Sequence, residues 1–503
     1  MNILDFPDEI LLCILNKLNN INILYSLVDV NQRFDRLALD SNYIRDLDFT
    51  ANDKSQEYHQ SLDRFCTSIL PRIHHQINKL ILGQLSIERV LYVVDYPQLY
   101  SLSLVFCDTI LIRLLNKQIT HFNLKTEFRT IELFDIYEPT LFALILSFAK
   151  YLIDFTFVQC LRDASINSLF TLFSTNCVSS TLTKLKIDVN TLDDCLYILD
   201  GRFDCLSTLI IDIEKIRPLL SNIDTTKKIT KLKYLSLTSI STTSYYHELV
   251  PLFRRMSNLE ELTLFLFVKR INSTYIDGIH LNDEILIHMP RINKFTFSIT
   301  TLVCNRKSNI ILPSNDDIQR SFIERRYQQI GSYADDNTMK IRARCHIYSL
   351  PYQFHMFHNV TNSFKGDIFN KVRSVIIIDE IRPFEHEFFQ IMSQSFPFLQ
   401  TLSIQNDKPQ KYKKYSFTFI TFPHLAVLNL ELAHINYVEQ FLSERKTLLP
   451  CLLHLTIQYE SLVMITNNFT NDPTRLNFTQ LKTLVTDKSF VRPENFHSYF
   501  PQL

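Results

Sequence analysis

Glycine is scarce in this sequence: 503 residues include only five glycines, where average usage of about 7% would give about 35. No two of the five lie close together. Loops that bind phosphate need clustered glycines, because their backbone N–H groups must approach the anion closely. The sequence therefore excludes nucleotide sites of the Walker and dinucleotide-binding types.

The chain also lacks an excess of charge and any long apolar run. Its 52 basic and 52 acidic residues cancel, so it has no basic field to attract nucleic acid or a membrane surface. The longest mainly apolar run, Leu141–Ala149, contains Ser147 and is too short to span a bilayer. Ten cysteines occur without a C-x-x-C pair, and the N-terminus does not look like a signal peptide. We expect a protein of the cytoplasm or the nucleus that binds neither nucleic acid nor membrane.

A short pattern, apolar-x-x-apolar-x-apolar, recurs along most of the chain. Thirteen of the fourteen intervals between successive copies lie between 20 and 33 residues. Regular spacing of this kind indicates a repeat architecture with one strand in each unit. The middle residues of the copies are Leu47, Leu80, Leu102, Phe122, Phe155, Leu185, Leu209, Leu235, Leu262, Phe295, Val375, Leu402, Leu428, Leu455 and Leu484.

Five copies share a proline two residues before the expected strand, at Pro97, Pro290, Pro397, Pro423 and Pro450. Proline ends a helix and favours extended backbone before it. The segments between strands carry apolar residues at helical spacing, as in 388–392 and 437–442. The sequence therefore predicts an α/β fold in which strands and helices alternate.

A strand and a helix in each unit of this length resemble the leucine-rich repeat, over about residues 44–490. The resemblance implies a solenoid whose parallel strands line a curved, horseshoe-like concave face. The family's Asn or Cys after the last strand leucine appears only as Cys107, Cys160 and Asn190, so the repeats are degenerate. An ordinary α/β domain with parallel strands is the alternative.

In such repeats the residues between and after the strand leucines face the concave surface. Here they are mostly small, uncharged and polar, which suits hydrogen bonds to a protein better than contacts with phosphates. We expect this face to bind a target protein through Ser103, Lys186, Asp188, Ser236, Thr263, Phe265, Thr296, Ser403, Gln405, Asn429, Glu431 and Gln458.

Residues 6–49 read as three short helices with apolar side chains on several sides. About forty residues cannot cover so many apolar groups alone, so the repeats or a partner must cover them. Phe6-Pro7-Asp8-Glu9-Ile10-Leu11, followed by Val30-Asn31-Gln32-Arg33-Phe34, resembles the F-box. The departures are Phe6 for leucine, Asn31 for cysteine, Phe34 for tryptophan, and Ile23 where an acid is common.

The F-box resemblance implies docking to the Skp adaptor of a Skp–cullin–F-box ubiquitin ligase. The alternative is that these helices only cap the open end of the repeats. The residues that the resemblance assigns to the adaptor are Phe6, Pro7, Ile10, Leu11, Leu15, Leu24, Val30 and Phe34.

The sequence thus predicts four parts: an F-box-like domain over 1–49, repeats over 50–300, an irregular insertion or degenerate repeats over 301–370, and repeats over 371–503. Within the third part, we expect a helix over Asp316–Gln329 and a flexible loop over Ser332–Lys340. The predicted function is substrate recognition for a ubiquitin ligase, and the alternative is a scaffold that works independently of ubiquitin.

We expect no enzymatic activity, cofactor or metal. The histidine pairs His74-His75 and His355-x-x-His358 lack further ligands at metal-binding spacing. Acids around His386 look like the first turn of a helix rather than an acid–base site. The basic run over 408–414 contains Tyr412 and is followed by Tyr415, and such tyrosines among lysines could meet nucleic acid, but these runs are more often solvated loops.

Overall fold

A computed structural model describes residues 3, 6–50, 56–83, 85–91, 93–104, 118–126, 142, 145–147, 149–159, 178–216, 228–243, 246–304, 310–323, 329–335, 342–411 and 419–503. The chain divides into two compact units. The first is Met1–Phe265 with Glu284–Phe295, and the second is Leu266–Asp283 with Thr296–Leu503. The chain passes between the units at three points, within β9 (Glu261–Ile271), within the helix Gly278–Glu284 and within β10 (Lys294–Cys304). The predicted boundary between residues 300 and 301 therefore falls inside a strand.

The first unit begins with short helices, each bounded by local polar groups. Helices α1 (Asp8–Leu15), α2 (Asn20–Leu27) and α3 (Gln32–Ala38) lie in the segment where the sequence predicts three helices, and a fourth, α4 (Ser41–Ile44), follows. The side chains that precede α2, α3 and α4 each accept a hydrogen bond from a first-turn N–H, which satisfies one of the free donors there. The strand β1 starts directly after α4.

The strands of the first unit run parallel and follow one another in chain order. Because each is level with the next, the middle residues predicted from the sequence form one column, from Leu47 through Leu80 and Leu102 to Leu235. All eight residues of this column are buried. The strands are β1 (Asp46–Phe49), β2 (Lys79–Leu82), β3 (Ser101–Leu104), β4 (His121–Thr126), β5 (Asp154–Gln159), β6 (Lys184–Thr191), β7 (Thr208–Lys215) and β8 (Tyr234–Thr243).

Helical segments connect these strands. After β1 come α5 (Gln56–Arg64), a π-helical turn (Phe65–Ile69) and α6 (Leu70–Ile73) in direct succession. Further along the chain are α7 (Ile87–Leu91), α8 (Leu192–Ile198) and α9 (Tyr246–Arg254). The mixed α/β class with a large parallel sheet is therefore confirmed, whereas the curved horseshoe shape stays a prediction.

A tight turn precedes each proline-marked strand. The Leu99 N–H donates to the Tyr96 carbonyl at 3.3 Å, and the Leu399 N–H donates to the Phe396 carbonyl at 3.1 Å. Proline occupies the second position of each turn, where its fixed φ is favourable. Strands without the proline use the same bond, as between the Leu206 N–H and the carbonyl three residues earlier. The proline therefore favours a turn that the repeat forms anyway.

In the second unit, the region predicted to be irregular forms an antiparallel arrangement. Strand β10 pairs with β12 (Arg342–Ser349), which also pairs with β11 (Ile330–Ala334). Helix α11 (Asn315–Ile323) lies in this region, and α10 (Gly278–Glu284) precedes β10. The prediction of a flexible loop over Ser332–Lys340 is wrong in part, because residues 332–334 belong to β11. Residues 336–341 lie outside the described residues. Residues 324–328, which belong to the predicted helix Asp316–Gln329, also lie outside the described residues.

The rest of the second unit is a six-stranded parallel sheet in the order β13-β14-β15-β17-β19-β20. Its column runs through Val375, Leu402, Leu428, Leu455 and Leu484, as the sequence predicts. Phe357, which the pattern did not detect, extends the column by one strand. The strands are β13 (Met356–Val360), β14 (Ser374–Ile378), β15 (Thr401–Asn406), β17 (Val427–Ala433), β19 (His454–Ile457) and β20 (Thr483–Thr486).

The described part of this unit also includes two shorter strands and several further helices. Strands β16 (Ile420–Thr421) and β18 (Thr447–Leu448) pair with each other. The helices are α12 (His386–Ser395), α13 (Ile435–Leu442), α14 (Tyr459–Thr466) and α15 (Phe496–Tyr499). Helices α12 and α13 contain the two segments of helical spacing that the sequence predicts.

A chain of hydrogen bonds runs through the buried part of the second unit. The Tyr352 hydroxyl donates to the Met356 carbonyl at 2.6 Å, so it accepts from the Ser298 hydroxyl, which lies 3.1 Å away. Ser298 Oγ must then accept from His346 Nε2 at 2.9 Å, so the proton of a neutral imidazole lies on Nε2. In that neutral form Nδ1 accepts from the Tyr333 hydroxyl at 3.2 Å.

Burial, with a smaller contribution from the nearby His358, lowers the pKa of His346 from 6.5 to about 3. The folded state thus binds fewer protons than the unfolded state wherever the pH lies between these two values. The stability that depends on a neutral His346 is fully present above pH 6.5 and is lost as the pH falls towards 3.

We predict that Leu402→Ala lowers the free energy of unfolding of the second unit by about 2–5 kcal/mol, because it leaves a cavity in the buried column. The change Ser403→Ala at the neighbouring, half-buried position of the same strand should lower the free energy of unfolding by less than about 0.5 kcal/mol. Urea denaturation followed by circular dichroism measures both. Equal losses for the two variants would contradict the assigned column.

We also predict that His346→Gln reduces the acid sensitivity of the protein, since glutamine can donate and accept hydrogen bonds without becoming charged. Between pH 6.5 and pH 5, the variant should lose about 1 kcal/mol per pH unit less stability than the original chain. Urea midpoints measured across this range test it, with the exposed His497→Gln as the control. Identical pH profiles for His346→Gln and the original chain would count against a neutral buried imidazole.

Candidate functional site

The N-terminal helices are held together by ion pairs around Asp8. Arg33 Nε lies 2.7 Å and Arg36 Nη2 lies 2.6 Å from this carboxylate. Arg33 also donates to the Phe6 carbonyl at 2.5 Å. The hydrogen bond from Arg33 is the main cause that lowers the pKa of Asp8. The start of α1 is thereby fixed against α3.

A second set of arginines ties these helices to the helical layer that follows β1. Arg72 of α6 lies 3.0 Å from Asp29 and 2.9 Å from Asp35. Arg64 of α5 donates to the Val28 carbonyl at 2.6 Å. The hydrogen bond from Arg72 lowers the pKa of Asp35. Together with the pairing of β1 and β2, these contacts attach the N-terminal helices firmly to the repeats.

The residues predicted to dock the adaptor separate into buried and exposed groups. Leu11, Leu15, Leu24 and Phe34 are buried, so they support the helical segment but offer no surface to a partner. Phe6 is half-buried. The exposed members are Pro7, Ile10 and Val30.

The exposed apolar side chains of α1 form a row that we name the apolar stripe: Pro7, Ile10, Ile14 and Leu18. The three aliphatic members are 45%, 44% and 52% exposed. Their spacing of three or four residues places them on one face of the helix and of the turn that continues it. Ile14 and Leu18 were missing from the predicted docking residues, although the helical spacing in the sequence points to them.

The residues predicted to bind a target lie on β3, β6, β8, β9, β10, β15 and β17, with Gln458 just after β19. Most are half-buried or exposed. The prediction needs correction for Phe265 and Thr296, because both side chains are buried and offer little surface to a target. Side chains on both faces of β10 are buried from Thr296 onward, since Thr296 and Ser298 are buried as well as Phe297. Target binding by the other residues stays a prediction.

A cavity of about 670 Å³ lies in the second unit, at the carboxyl ends of β14, β15, β17 and β19. It brings together Gln405 and Gln458, two of the predicted target-binding residues. The other predicted residues of this unit do not line it. Clefts at the ends of parallel strands are common binding positions, because loops from several strands converge there.

Two buried polar residues hold the loops at this cavity. Asp379 accepts hydrogen bonds from the N–H groups of Ile381 and Arg382, at 3.0 and 2.9 Å. Burial acts to raise the pKa of Asp379, but these bonds and one from Asn362 outweigh it and lower the pKa. Asn406 accepts from the N–H of Lys408 at 2.8 Å. Sequence reasoning missed this pair, whose signal is a polar residue two places after the last apolar strand residue.

A β-bulge in β17 alters one wall of the cavity. Ser403 is level with Asn429, but two residues later Gln405 is level with Leu432, so β17 contains one extra residue. Leu430 is buried, and strict alternation would bury Leu432 as well. The extra residue instead turns Leu432 outward, where it is 59% exposed.

The described residues hold no group of three or more His, Cys, Asp and Glu side chains that could bind a metal ion. His74 Nδ1 lies 2.7 Å from the Asp95 carbonyl, and His355 Nδ1 lies 3.0 Å from the Lys371 carbonyl. His386 begins α12, as expected for a first helical turn. In the basic run, Lys408 pairs with Asp407, while residues 412–418 lie outside the part that the structure describes.

No protein-family model and no curated protein matches this chain. Among solved structures, it is similar to the crystal structure of the Rad7 and Elc1 complex in yeast. The two chains share 12% sequence identity, with a TM-score of 0.33, over 84% of this chain and 92% of the other. This likeness is weak, so function is inferred from the residues of the chain itself. Within the described residues, no helix combines the length and apolar character needed to cross a membrane.

We predict that the neighbouring residues Leu11 and Ile10 respond differently to truncation. Leu11→Ala should destabilise the first unit by about 2–5 kcal/mol, because it removes a buried side chain. Ile10→Ala should change stability by less than about 1 kcal/mol, because the side chain is nearly half exposed. Chemical denaturation of both variants provides the comparison. A large loss for Ile10→Ala would show that the apolar stripe is needed for folding.

Proposed function

We propose that this chain is the substrate-recognition subunit of a Skp–cullin–F-box ubiquitin ligase. The N-terminal helices dock a Skp-type adaptor, which connects to the cullin, and the repeats bind the target protein. The observation that supports this proposal most directly is the apolar stripe. A row of exposed aliphatic side chains on a helix is a feature that a protein partner can cover.

The way in which the helices are held favours docking over incidental exposure. Asp8 is fixed by Arg33 and Arg36, and Arg72 fixes the segment after α2. The stripe is therefore presented by a helix whose other side is already packed. Binding to such a surface needs little reordering, so more of the apolar burial contributes to affinity.

In this function the chain brings a target near the ligase and performs no chemistry itself. Any gain in rate then comes from holding the target close to the activated ubiquitin. Accordingly, we propose that the chain is not an enzyme and needs no cofactor. The half-buried polar side chains of the sheets, together with the cavity in the second unit, supply surface for the target.

A second candidate function is a scaffold in which the helices only cap the repeats. It is favoured by the ion pairs of Arg72 and by the pairing of β1 with β2, which protects the edge of the sheet. Capping uses the inner face of the helical segment, whereas docking uses the apolar stripe. The two roles are separable by changing the stripe alone.

We predict that the double variant Ile10→Glu, Ile14→Glu binds the adaptor at least about tenfold more weakly, since it places charge in an apolar contact. The measurement is titration of purified Skp-type adaptor against the full chain, with copurification of the cullin from cells as a second readout. The matched control is Tyr151→Glu, which changes another exposed apolar side chain of the first unit.

Retained adaptor binding in a folded double variant would contradict the docking surface. Complete absence of adaptor binding by the original chain would instead favour the scaffold. Leu11 is unsuitable for this test, because it is buried and a charged replacement would disturb the fold.

A further inference from the structure

The cavity at the carboxyl ends of the second sheet has one apolar side, which we name the apolar wall: Leu432, Ile435 and Met464. Leu432 and Met464 are 59% and 64% exposed, although both line the same concave surface. Ile435 begins α13 and Met464 lies on α14. Exposed apolar side chains that converge in a cavity mark a binding surface, whereas scattered ones need no explanation.

The wall depends on the bulge in β17. Without the extra residue, Leu432 would point into the core and the position level with Gln405 would be polar. The Asn429 side chain accepts a hydrogen bond from the Glu431 N–H at 3.0 Å, within the bulge. The exposed leucine is thus placed by a defined backbone feature, and bulges of this kind often redirect a side chain at a functional position.

The rim of the same cavity is acidic. Among the described residues that line it are four carboxylates, Asp379, Glu380, Asp407 and Glu460, and one lysine, Lys408. Asp379 is occupied by the loop backbone, but the other three carboxylates are exposed. A cavity with this rim attracts cationic groups and repels phosphates.

The exposed carboxylates already have cationic neighbours, and these contacts are weak. Glu380 lies 2.9 Å from Arg342 and 3.3 Å from Arg344, Asp407 lies 2.9 Å from Lys408, and Glu460 lies 2.7 Å from Lys488. Apart from Arg344, all of these side chains are at least 41% exposed, and ion pairs between exposed side chains contribute little to stability. A carboxylate has room for further donors, so an incoming lysine or arginine can share each one.

We infer that this cavity binds a polypeptide segment in which a large apolar side chain is flanked by lysine or arginine. The apolar side chain packs on the apolar wall, and the flanking cations reach Glu380, Asp407 and Glu460. The inference deepens the proposed function, because it states which class of target segment the repeats recognise, and it rests on that function.

The test uses the full chain and a fluorescein-labelled peptide, Ser-Gly-Lys-Arg-Leu-Phe-Lys-Arg-Ser, in fluorescence anisotropy titrations. Three counterparts separate the contributions: one with glutamine in place of the basic residues, one with glutamate there, and one with Ser-Ser in place of Leu-Phe. The basic apolar peptide should bind at least about tenfold more tightly than each counterpart. Its affinity should fall several-fold between about 50 mM and about 300 mM salt, because exposed charges are screened.

Variants of the chain locate the binding. Leu432→Ser should weaken the basic apolar peptide about tenfold, and Asp407→Asn with Glu460→Gln should do the same. The double variant should leave the weak binding of the glutamine counterpart unchanged, since only charge is removed. The matched control is Val485→Ser, which removes another exposed apolar side chain of the same sheet, outside the cavity.

Equal binding of the basic and glutamine peptides, or an affinity unaffected by Leu432→Ser, would overturn the inference. Adaptor titration with the same protein samples separates this failure from failure of the proposed function. Lost peptide discrimination with intact adaptor binding rejects only the assignment of the cavity. Intact peptide discrimination without adaptor binding rejects the ligase and leaves a scaffold that binds basic apolar segments.

Discussion

The register between neighbouring parallel strands is the constraint on which the rest of this molecule depends. Backbone hydrogen bonds hold Leu80 level with Leu102, and Leu402 level with Leu428, although 22 and 26 residues of chain separate them. A slip of one residue would turn every apolar side chain of a strand towards solvent. Because the parallel strands of each unit keep this register at their buried residues, each unit has a column of apolar side chains, and polar side chains collect on the other face.

The N-terminal segment uses the same register to join the repeats. Strand β1 pairs with β2, so the helices before it are fixed at the edge of the first sheet. The arginines of α5 and α6 add a second attachment, from Arg64 and Arg72. An open sheet edge would otherwise invite pairing with another chain. Capping the sheet and presenting the apolar stripe are therefore roles of two different faces of one segment.

In the second unit, one local departure from regularity distinguishes a surface from its neighbours. The regular strands β14 and β15 end in loops held by Asp379 and Asn406. Strand β17 has one extra residue, which exposes Leu432 beside those loops. The repeat thus supplies a rigid frame, and a single insertion within a strand changes the chemical character of the cavity at its edge.

The sequence by itself determined the α/β class, the parallel strands and the identity of the buried columns, because alternation and spacing follow from local backbone geometry. It did not reveal that Thr296 is buried, that residues 332–334 pair antiparallel, or that Leu11 supports the fold while Ile10 is exposed. Nor did it reveal the outward turn of Leu432. Only the tertiary structure decided these points, because exposure depends on which distant segments cover a side chain, and no spacing rule within one strand or helix records that.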